Sequence, residues 1–396
     1  MGGARPLMSR PCTVQLQFSP GLLQAAMRSM QGRAAGADDW RPSEMSHLPC
    51  SWWDLASQLW STILEVRRVP CIWKRARVAL LWKARQKTRP ISLLPAMWRA
   101  GCRVLKDQLR PWIESWQESH VMGGLPATSV ATSLMQIRRA FDEGCSCFAQ
   151  LDISSYFDSI GPFVLRRCME HLHLPQEISD LLGHFYQGAQ RIFCMSQALS
   201  GRWREISMGI AQGCPLSPML ASAIGHIWCS WIRSSGPSDG PRCLSYVDDR
   251  TLWVPAGSPS TLLQPALHSS QEFDRAFGFA LSLDKSAIVT RDPDPHADAL
   301  AAEFGFKRAT TLEILGVLAP FTSEWSLLKF QVDKALARLR LLRTVTSSRS
   351  VHCHLVASLV SPCFAWAAGF ARPEPCDLSR VRGAVVDLFG KSFTGQ

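Results

Sequence analysis

Two adjacent aspartates, Asp248 and Asp249, stand between the apolar segments CLSY and TLWV, which are predicted to be strands. Like charges at a tight turn repel each other, so a fold that keeps both favours a bound cation. Asp is also common in plain hairpin turns, because its side chain bonds to its own backbone. YVDD by itself therefore leaves a metal site and an ordinary turn both open.

A third aspartate, Asp152, lies near the end of CFAQLDI (residues 147–153), which is predicted to be a strand followed by a turn and a helix. If this strand and the hairpin join one sheet, their carboxylates could bind two Mg²⁺ ions about 3.5 to 4 Å apart. Such a site clamps the attacking and the leaving oxygen of a phosphoryl transfer. The three aspartates therefore suggest phosphoryl-transfer chemistry.

Helical patterns flank these strands. Ser217 and Pro218 form a predicted N-cap and first turn, after which apolar residues recur at helical spacing. A second apolar stripe near the C-terminus comprises Leu328, Val332, Leu336, Leu339 and Leu342. Its cations lie largely off the stripe, so one face is predicted to pack and another to meet phosphate. The uncharged stretch from Val356 is short for a membrane span and contains Pro362, which favours a buried helical pair.

The net charge of +11 and the pI near 9.2 favour an acidic partner such as nucleic acid. Residues 61–110 hold thirteen Lys and Arg against two acidic residues, so the excess is concentrated there. Trp73, Trp82 and Trp98 are interleaved with these cations. Such tryptophans either stack on bases or belong to the core, and the sequence leaves both readings open.

The 14 cysteines include no C-x-x-C pair and no finger spacing, so no zinc site is expected. No secretory leader is recognisable at the N-terminus. We therefore expect a soluble intracellular protein, without membrane attachment, whose thiols are mostly buried and free.

The ordered set of motifs resembles the palm of reverse transcriptases. YVDD matches the Y-x-D-D hairpin of that family, AQGCPLSP its Q-G-x-x-L-S-P motif, and LDISSYFD the D-x-x-x-x-F-D form of LINE-like (non-LTR) retrotransposons and group II introns. KTRPISLL is similar to the fingers motif, LSLDKSAIV to the lysine-bearing segment and EILGVL to the primer grip. GRAAGADDW is similar to a G-x-D-G-W stretch, with Asp39 in place of the glycine. The resemblance covers roughly residues 32–345.

The resemblance implies roles for single residues. Asp152 and Asp248 would be the principal ligands of two Mg²⁺ ions, with Mn²⁺ as a substitute, and Asp249 and the Ile153 carbonyl would complete the site. Phe157 matches the steric gate that excludes a 2′-OH, although its alternative is an ordinary core Phe.

Four further residues receive roles in the same way. Gln212 and Gly213 would lie beside the nascent base pair, where a small residue permits close backbone approach. Lys83 and Arg89 would contact the triphosphate. Lys285 would protonate the pyrophosphate leaving group, with a solvated lysine as its alternative.

The implied fold is an α+β right-hand polymerase. An N-terminal segment (1–35) would precede basic fingers (36–145), a palm with an antiparallel sheet (146–320) and a helical thumb (321–396), complete or truncated. The implied activity is extension of a DNA or RNA primer with dNTPs on an RNA template, with a nuclear location only by analogy to LINE-like elements. An RNA-dependent RNA polymerase and a non-catalytic RNA-binding copy are the alternatives, and the oligomeric state stays open.

Overall fold

A computed structural model describes residues 13–83, 87–195, 198–237, 239–321, 325–327, 329–345, 348–367 and 369–390. Helices account for 52% and strands for 17%, which confirms the predicted α+β class. The helices are α1 Pro20–Arg28, α2 Pro42–Met45, α3 Cys50–Val66, α4 Ala96–Gln108, α5 Arg110–Trp116, α6 Val130–Asp142, α7 Tyr156–Ser159, α8 Pro162–His171, α9 Gln176–Tyr186, α10 Ser217–Ser235, α11 Leu263–Phe277, α12 Pro295–Phe304, α13 Lys329–Arg343, α14 Arg349–Leu355 and α15 Pro375–Phe389. The strands are β1 Arg75–Lys83, β2 Lys87–Leu93, β3 Val121–Met122, β4 Cys147–Asp152, β5 Gln190–Met195, β6 Ala198–Leu199, β7 Arg204–Glu205, β8 Arg242–Tyr246, β9 Asp249–Trp253, β10 Ala287–Thr290, β11 Lys307–Ala309, β12 Thr311–Ile314, β13 Val317–Pro320, β14 Trp325–Leu327 and β15 Ala371–Arg372.

The central sheet has six strands in the order β11-β10-β4-β9-β8-β3. Strand β4 pairs antiparallel with both β9 and β10 and therefore lies between the YVDD hairpin and the segment that follows Lys285. Helices α10 and α11 pack on each other, and α10 also packs on β8. This arrangement brings Asp152, the YVDD hairpin and the segment that carries Lys285 to one end of one sheet.

A second sheet has the order β2-β1-β5-β6, with β7 paired to β5. Strand β1 pairs antiparallel with β2 and parallel with β5. Because β5 to β7 lie within residues 190–205, this sheet joins the predicted fingers region to a segment inside the predicted palm region.

An aromatic core underlies the basic N-terminal region. Trp98 is fully buried and stacks on Phe185 at a centroid distance of 4.2 Å and on Trp60 at 5.7 Å. Trp73 is 8% exposed and packs on Trp60 as well. Both tryptophans are therefore core residues, which settles the question that the sequence left open for them. The side chain of Trp82 lies outside the described residues.

One buried ion pair stands behind the central sheet. Arg250 on β9 is completely buried and its Nη1 donates to Asp274 Oδ1 on α11 at 2.6 Å. The guanidinium also lies over the rings of Trp228 and Phe273, at 4.8 and 5.3 Å from their centroids. Burial raises the pKa of Asp274, whereas the Arg250 charge opposes that rise. Removing one partner of such a pair strands a buried charge, so the two side chains fix α11 against the hairpin strand.

The C-terminal part combines a third sheet, in the order β12-β13-β14-β15, with α13 packed on α15. Val332, Leu336, Leu339 and Leu342 are buried on α13, which confirms the apolar stripe, while Leu328 lies outside the described residues. The predicted buried helical pair after Val356 is wrong. That stretch is a π-helical turn and two short 3₁₀ turns followed by β15, and Leu359 is 39% exposed.

One proline interrupts the helix in this stretch. Pro362 lies in the first 3₁₀ turn, where its ring prevents a regular helix from continuing. Within the described ranges, no helix is long and apolar enough to span a bilayer.

Candidate active site

Strand pairing places two of the three aspartates side by side. Asp152, the last residue of β4, is directly opposite Asp249, the first residue of β9. Side chains of directly opposed residues point to the same face of a sheet, with Cβ atoms about 4.5 to 5.5 Å apart. Asp249 is also opposite Tyr246, which leaves Val247 and Asp248 as the two turn residues of the hairpin. The predicted assembly of a strand-end aspartate with a hairpin pair is therefore present.

The hairpin turn is strained at its first residue. Val247 has a φ of 58°. A type II′ turn requires a positive φ at that position, but β-branched residues rarely adopt one. The Val247 amide donates to the Met122 carbonyl at 3.3 Å. A Cβ on Gly123 would lie 2.6 Å from Cγ2 of Val247, so the glycine is needed where the turn packs. This support was not predicted from the sequence, although the adjacent glycines Gly123 and Gly124 were a signal for it.

The electrostatics of the turn indicate clustered carboxylates. Burial raises the pKa of Asp248 above its ordinary value of 3.8, and the negative charge of Asp152 raises it further. Its own backbone amide and the charges of Arg89 and Lys285 oppose the rise. Carboxylates held together against repulsion are oxygen ligands of the kind that Mg²⁺ and Mn²⁺ prefer. The donor set of Asp152, Asp248 and Asp249 therefore suits divalent cations.

Lys285 contacts the site directly. Its Nζ donates to Oδ1 and Oδ2 of Asp152 at 2.7 and 2.8 Å, and the two side chains are 49% and 19% exposed. The contact arises because Lys285 precedes β10, which pairs with β4. The Oγ atom of Ser286 accepts a hydrogen bond from the Asp152 amide at the same strand end, at 3.2 Å. The predicted lysine is thus beside the carboxylates, 133 residues away from Asp152 in the chain.

The backbone after Asp152 is fixed by the same segment. Ile153 forms an isolated bridge with Leu281, and the Ser282 amide donates to the Asp152 carbonyl at 2.8 Å. The Ile153 side chain is 3% exposed and belongs to the main apolar cluster. These contacts fix the backbone of Ile153 one residue beyond the end of β4. Its predicted role as a carbonyl ligand needs a backbone fixed in this way.

Two cations were predicted to face the triphosphate. Arg89 lies on β2, is exposed, and is close enough to Asp248 for its charge to lower the pKa of that carboxyl. The end of the second sheet that carries Arg89 therefore faces the hairpin. Lys83 is the last residue of β1, and its side chain lies outside what the structure describes.

The AQGCPLSP segment is held between β2 and helix α7. The Ser92 amide on β2 donates to the Gln212 carbonyl at 2.5 Å, and the Ile210 amide donates to the Phe157 carbonyl at 2.7 Å. Gly213 has a φ of 126°, and a Cβ there would lie 2.3 Å from the Ser92 carbonyl oxygen. The backbone at Gly213 therefore approaches β2 closely, and its place beside a nascent base pair stays a prediction.

Phe157 lies on the short helix α7, five residues after Asp152, and is half-buried. Its ring packs against the main apolar cluster and edge-on to Tyr156, at a centroid distance of 6.0 Å.

The next residue, Asp158, accepts a hydrogen bond from Gln212 Nε2 at 3.5 Å and lies 3.8 Å from Arg191. Burial raises the pKa of Asp158, and the Arg191 charge opposes this rise. Arg191 on β5 had no sequence signal, and it ties the second sheet to the turn after Asp152.

Other cations of residues 61–110 serve the fold. Arg77 makes a bidentate contact with Asp39, at 2.6 and 2.8 Å, and Arg99 is buried with its Nη2 donating to the Ala34 carbonyl. Asp39 itself has a φ of 60°, which is the left-handed conformation that a glycine adopts without strain. The Asp in place of the expected glycine is thus tolerated by backbone geometry, and its carboxylate pairs with Arg77.

An α+β fold with three clustered carboxylates and facing cations has the features of an enzyme that transfers nucleotidyl groups with divalent metal ions. The family model of the reverse transcriptase (RNA-dependent DNA polymerase) matches residues 81–318, more than half of the chain. The chain belongs to this family and is an RNA-directed DNA polymerase, a nucleotidyltransferase. The family uses divalent metal ions, a nucleic acid template and primer, and dNTPs. No curated protein matches the chain.

Proposed function

We propose that the enzyme extends a primer 3′-OH with dNTPs on an RNA template by a two-metal phosphoryl transfer at Asp152, Asp248 and Asp249. The observation that carries this proposal is the pairing of Asp152 with Asp249, with Asp248 in the adjoining turn. Two divalent cations bound there would polarise the primer hydroxyl and stabilise the leaving oxygen. The residues of the chain supply position and charge, since phosphoryl transfer needs little covalent chemistry from the protein.

Each residue of the proposed site has a separate task in this mechanism. Asp152 and Asp248 hold the principal ligand positions, while Asp249 and the Ile153 carbonyl complete them. Arg89 approaches from the second sheet and binds the triphosphate, together with Lys83. Gln212 and Gly213 line the position of the nascent base pair. The D-x-x-x-x-F-D form of LDISSYFD supports a LINE-like or group II intron type of enzyme and an origin in a retrotransposon, with nuclear action by the same analogy.

The corresponding regions are basic fingers over 36–145, a palm over 146–320 and a helical thumb over 321–396. The central six-stranded sheet, which carries all three aspartates, supports the palm. The packing of α13 on α15 supports a helical C-terminal region.

The test is primer extension by the full chain on an RNA template, with Mg²⁺ and either dNTPs or NTPs. Extension with dNTPs alone supports the proposal. Extension with NTPs in preference would indicate an RNA polymerase, and template binding without extension in Mg²⁺ or Mn²⁺ would indicate a non-catalytic copy. Circular dichroism of the same sample separates an inactive fold from an unfolded one.

Replacing Phe157 with Val is expected to relax sugar selection. The smaller side chain no longer meets a 2′-OH, so NTP incorporation relative to dNTP incorporation should rise by about 10- to 200-fold, the range that a pocket of altered size provides. Single-nucleotide extension on one template with each substrate measures the ratio. Phe163→Val is the control because Phe163 is 74% exposed on α8. An unchanged ratio in Phe157→Val would make Phe157 an ordinary core residue.

Replacing Lys285 tests proton donation to pyrophosphate. Both Lys285→Met and Lys285→Arg are expected to slow single-turnover incorporation by about 10²-fold or more, because the arginine keeps the charge beside Asp152 but cannot give up its proton. The melting temperature of Lys285→Arg should stay unchanged, since the arginine keeps the charge and half-exposed ion pairs contribute little stability. Lys307→Met on β11 is the control. A wild-type rate in Lys285→Arg would restrict Lys285 to the charge contact with Asp152.

A further inference from the structure

A second cluster of potential metal ligands lies behind the central sheet, away from the three aspartates. His120 directly precedes β3, Cys229 lies on α10 and Cys243 lies on β8. The Ser245 amide of β8 donates to the His120 carbonyl at 2.9 Å, and β3 pairs parallel with β8. The backbone therefore fixes the position of His120 relative to the strand that carries Cys243.

The side chains of this cluster converge. His120, Cys229 and Cys243 offer ligand atoms that all lie within 4.8 Å of one another. Glu118, His120 and His226 do the same, and His226 is one helical turn before Cys229 on the same face of α10. In a tetrahedral zinc centre the ligand atoms lie about 3.3 to 3.8 Å apart, as bonds of about 2.0 to 2.3 Å require. Small side-chain rotations would bring the three ligands to these separations.

Burial and missing partners distinguish this cluster from a solvated group of polar residues. Cys229 is fully buried, and Cys243 and His226 are each 4% exposed. Among the described residues, His120 Nε2 and His226 Nδ1 are buried without a hydrogen-bond partner. Buried polar atoms are nearly always paired, so two orphaned imidazole nitrogens in one cluster indicate a ligand.

The side-chain types of this cluster suit metal binding. Thiolate and imidazole together are the ligand set of zinc, whereas Mg²⁺ prefers oxygen.

We propose that the chain binds one Zn²⁺ through His120 Nε2, Cys229 Sγ and Cys243 Sγ. Glu118 lies 3.6 Å from Nδ1 of His120, where a carboxylate orients a zinc-bound imidazole and directs its other nitrogen to the ion. Arg233 holds Glu118 in turn, at 2.7 and 2.9 Å. His226, which is grouped with His120 and lies three residues before Cys229 on α10, would supply the fourth ligand.

This site would tie α10 and the segment before β3 to β8, the strand that leads into the YVDD hairpin. No zinc was expected from the sequence, because no two cysteines have finger spacing. The ligands instead come from three elements that meet only in the folded chain, and the one local signal is the His226-x-x-Cys229 spacing on a helix.

The experiment measures bound metal in the purified full chain after exhaustive dialysis. Wild type is expected to retain one zinc per chain, whereas Cys229→Ser and Cys243→Ser should lose it. Cys168→Ser is the matched control, because Cys168 is 4% exposed on α8 and lies outside the cluster. Cys353→Ser is a second control for adventitious binding at the exposed His352-Cys353-His354 segment.

Cobalt substitution provides a readout that does not depend on the folding of the serine variants. Wild type loaded with Co²⁺ should show thiolate-to-cobalt charge-transfer absorption, and strong chelation should lower its melting temperature until zinc is restored. The proposal is overturned if wild type carries no zinc and shows no such absorption. It is overturned equally if Cys353→Ser removes the metal while Cys229→Ser retains it, or if mass analysis finds a Cys229–Cys243 disulfide in the native protein.

Discussion

The Asp248→Asn enzyme is expected to lose primer extension by at least about 10³-fold, because one principal carboxylate of the site becomes a neutral amide. The loss should appear in the single-turnover rate at saturating dNTP and Mg²⁺. Asp54→Asn is the control, since Asp54 is exposed on α3. Extension by Asp248→Asn at a rate near wild type would remove Asp248 from the catalytic site.

The same substitution is expected to stabilise the metal-free protein. Burial and the Asp152 charge raise the pKa of Asp248, so the folded state disfavours its ionised form. This penalty is absent below the ordinary pKa of 3.8 and grows as the pH rises toward and through the raised value. In EDTA at pH 7, Asp248→Asn should therefore melt above wild type, and the difference should shrink toward pH 4.

A stability gain with lost activity is the expected signature of a site that holds like charges together for function. Mg²⁺ or Mn²⁺ should raise the melting temperature of wild type more than that of Asp248→Asn, because the cation binds the folded wild type more tightly. If Asp248→Asn melts below wild type in EDTA, Asp248 makes a structural contact beyond the electrostatics described.

Gly213→Ala is expected to destabilise the protein by about 3 kcal/mol or more, from backbone strain and forced displacement together. The φ of 126° is unfavourable for any residue with a Cβ, and that Cβ would lie 2.3 Å from the Ser92 carbonyl oxygen. The contact partner is backbone in a strand, so a side-chain rotation cannot relieve it. Urea unfolding measures the loss, and primer extension should fall with it because Gln212 moves off β2.

Gly188→Ala is the matched control for backbone strain. Gly188 has a φ of 70°, and a Cβ there would meet nothing within 4 Å. Its replacement should cost only the strain of a left-handed residue, about 1 to 2 kcal/mol. Equal unfolding midpoints for the two variants would show that residues 209–213 are free to move away from β2, contrary to the contacts described.

Local sequence signals were sufficient for the strands that carry the three aspartates. The apolar segments on either side of YVDD predicted two short strands, and the structure has β8 and β9 there. CFAQLDI predicted a strand with Asp152 near its end, and β4 ends at Asp152. Strand alternation and turn chemistry depend on neighbouring residues alone, so these elements could be predicted without knowledge of their partners.

Burial could not be predicted in the same way. Trp98 and Trp73 have the same surroundings of Lys and Arg in the sequence, and only their packing on Trp60 shows that they are core. The apolar stretch after Val356 has a composition that suits a buried helix, yet its short turns leave much of it exposed. Composition records how apolar a segment is, but not which neighbours cover it.

The sequence by itself determined the family, the three aspartates and the strands that carry them, because the spacing within each motif is short and its geometry is local. Only the tertiary structure decided that Lys285 contacts Asp152, that Gly213 faces β2, and that His120 meets Cys229 and Cys243. These contacts depend on the order of strands, with β4 between β9 and β10 and β8 between β9 and β3. Strand order is set by packing across the whole chain, and no local pattern encodes it.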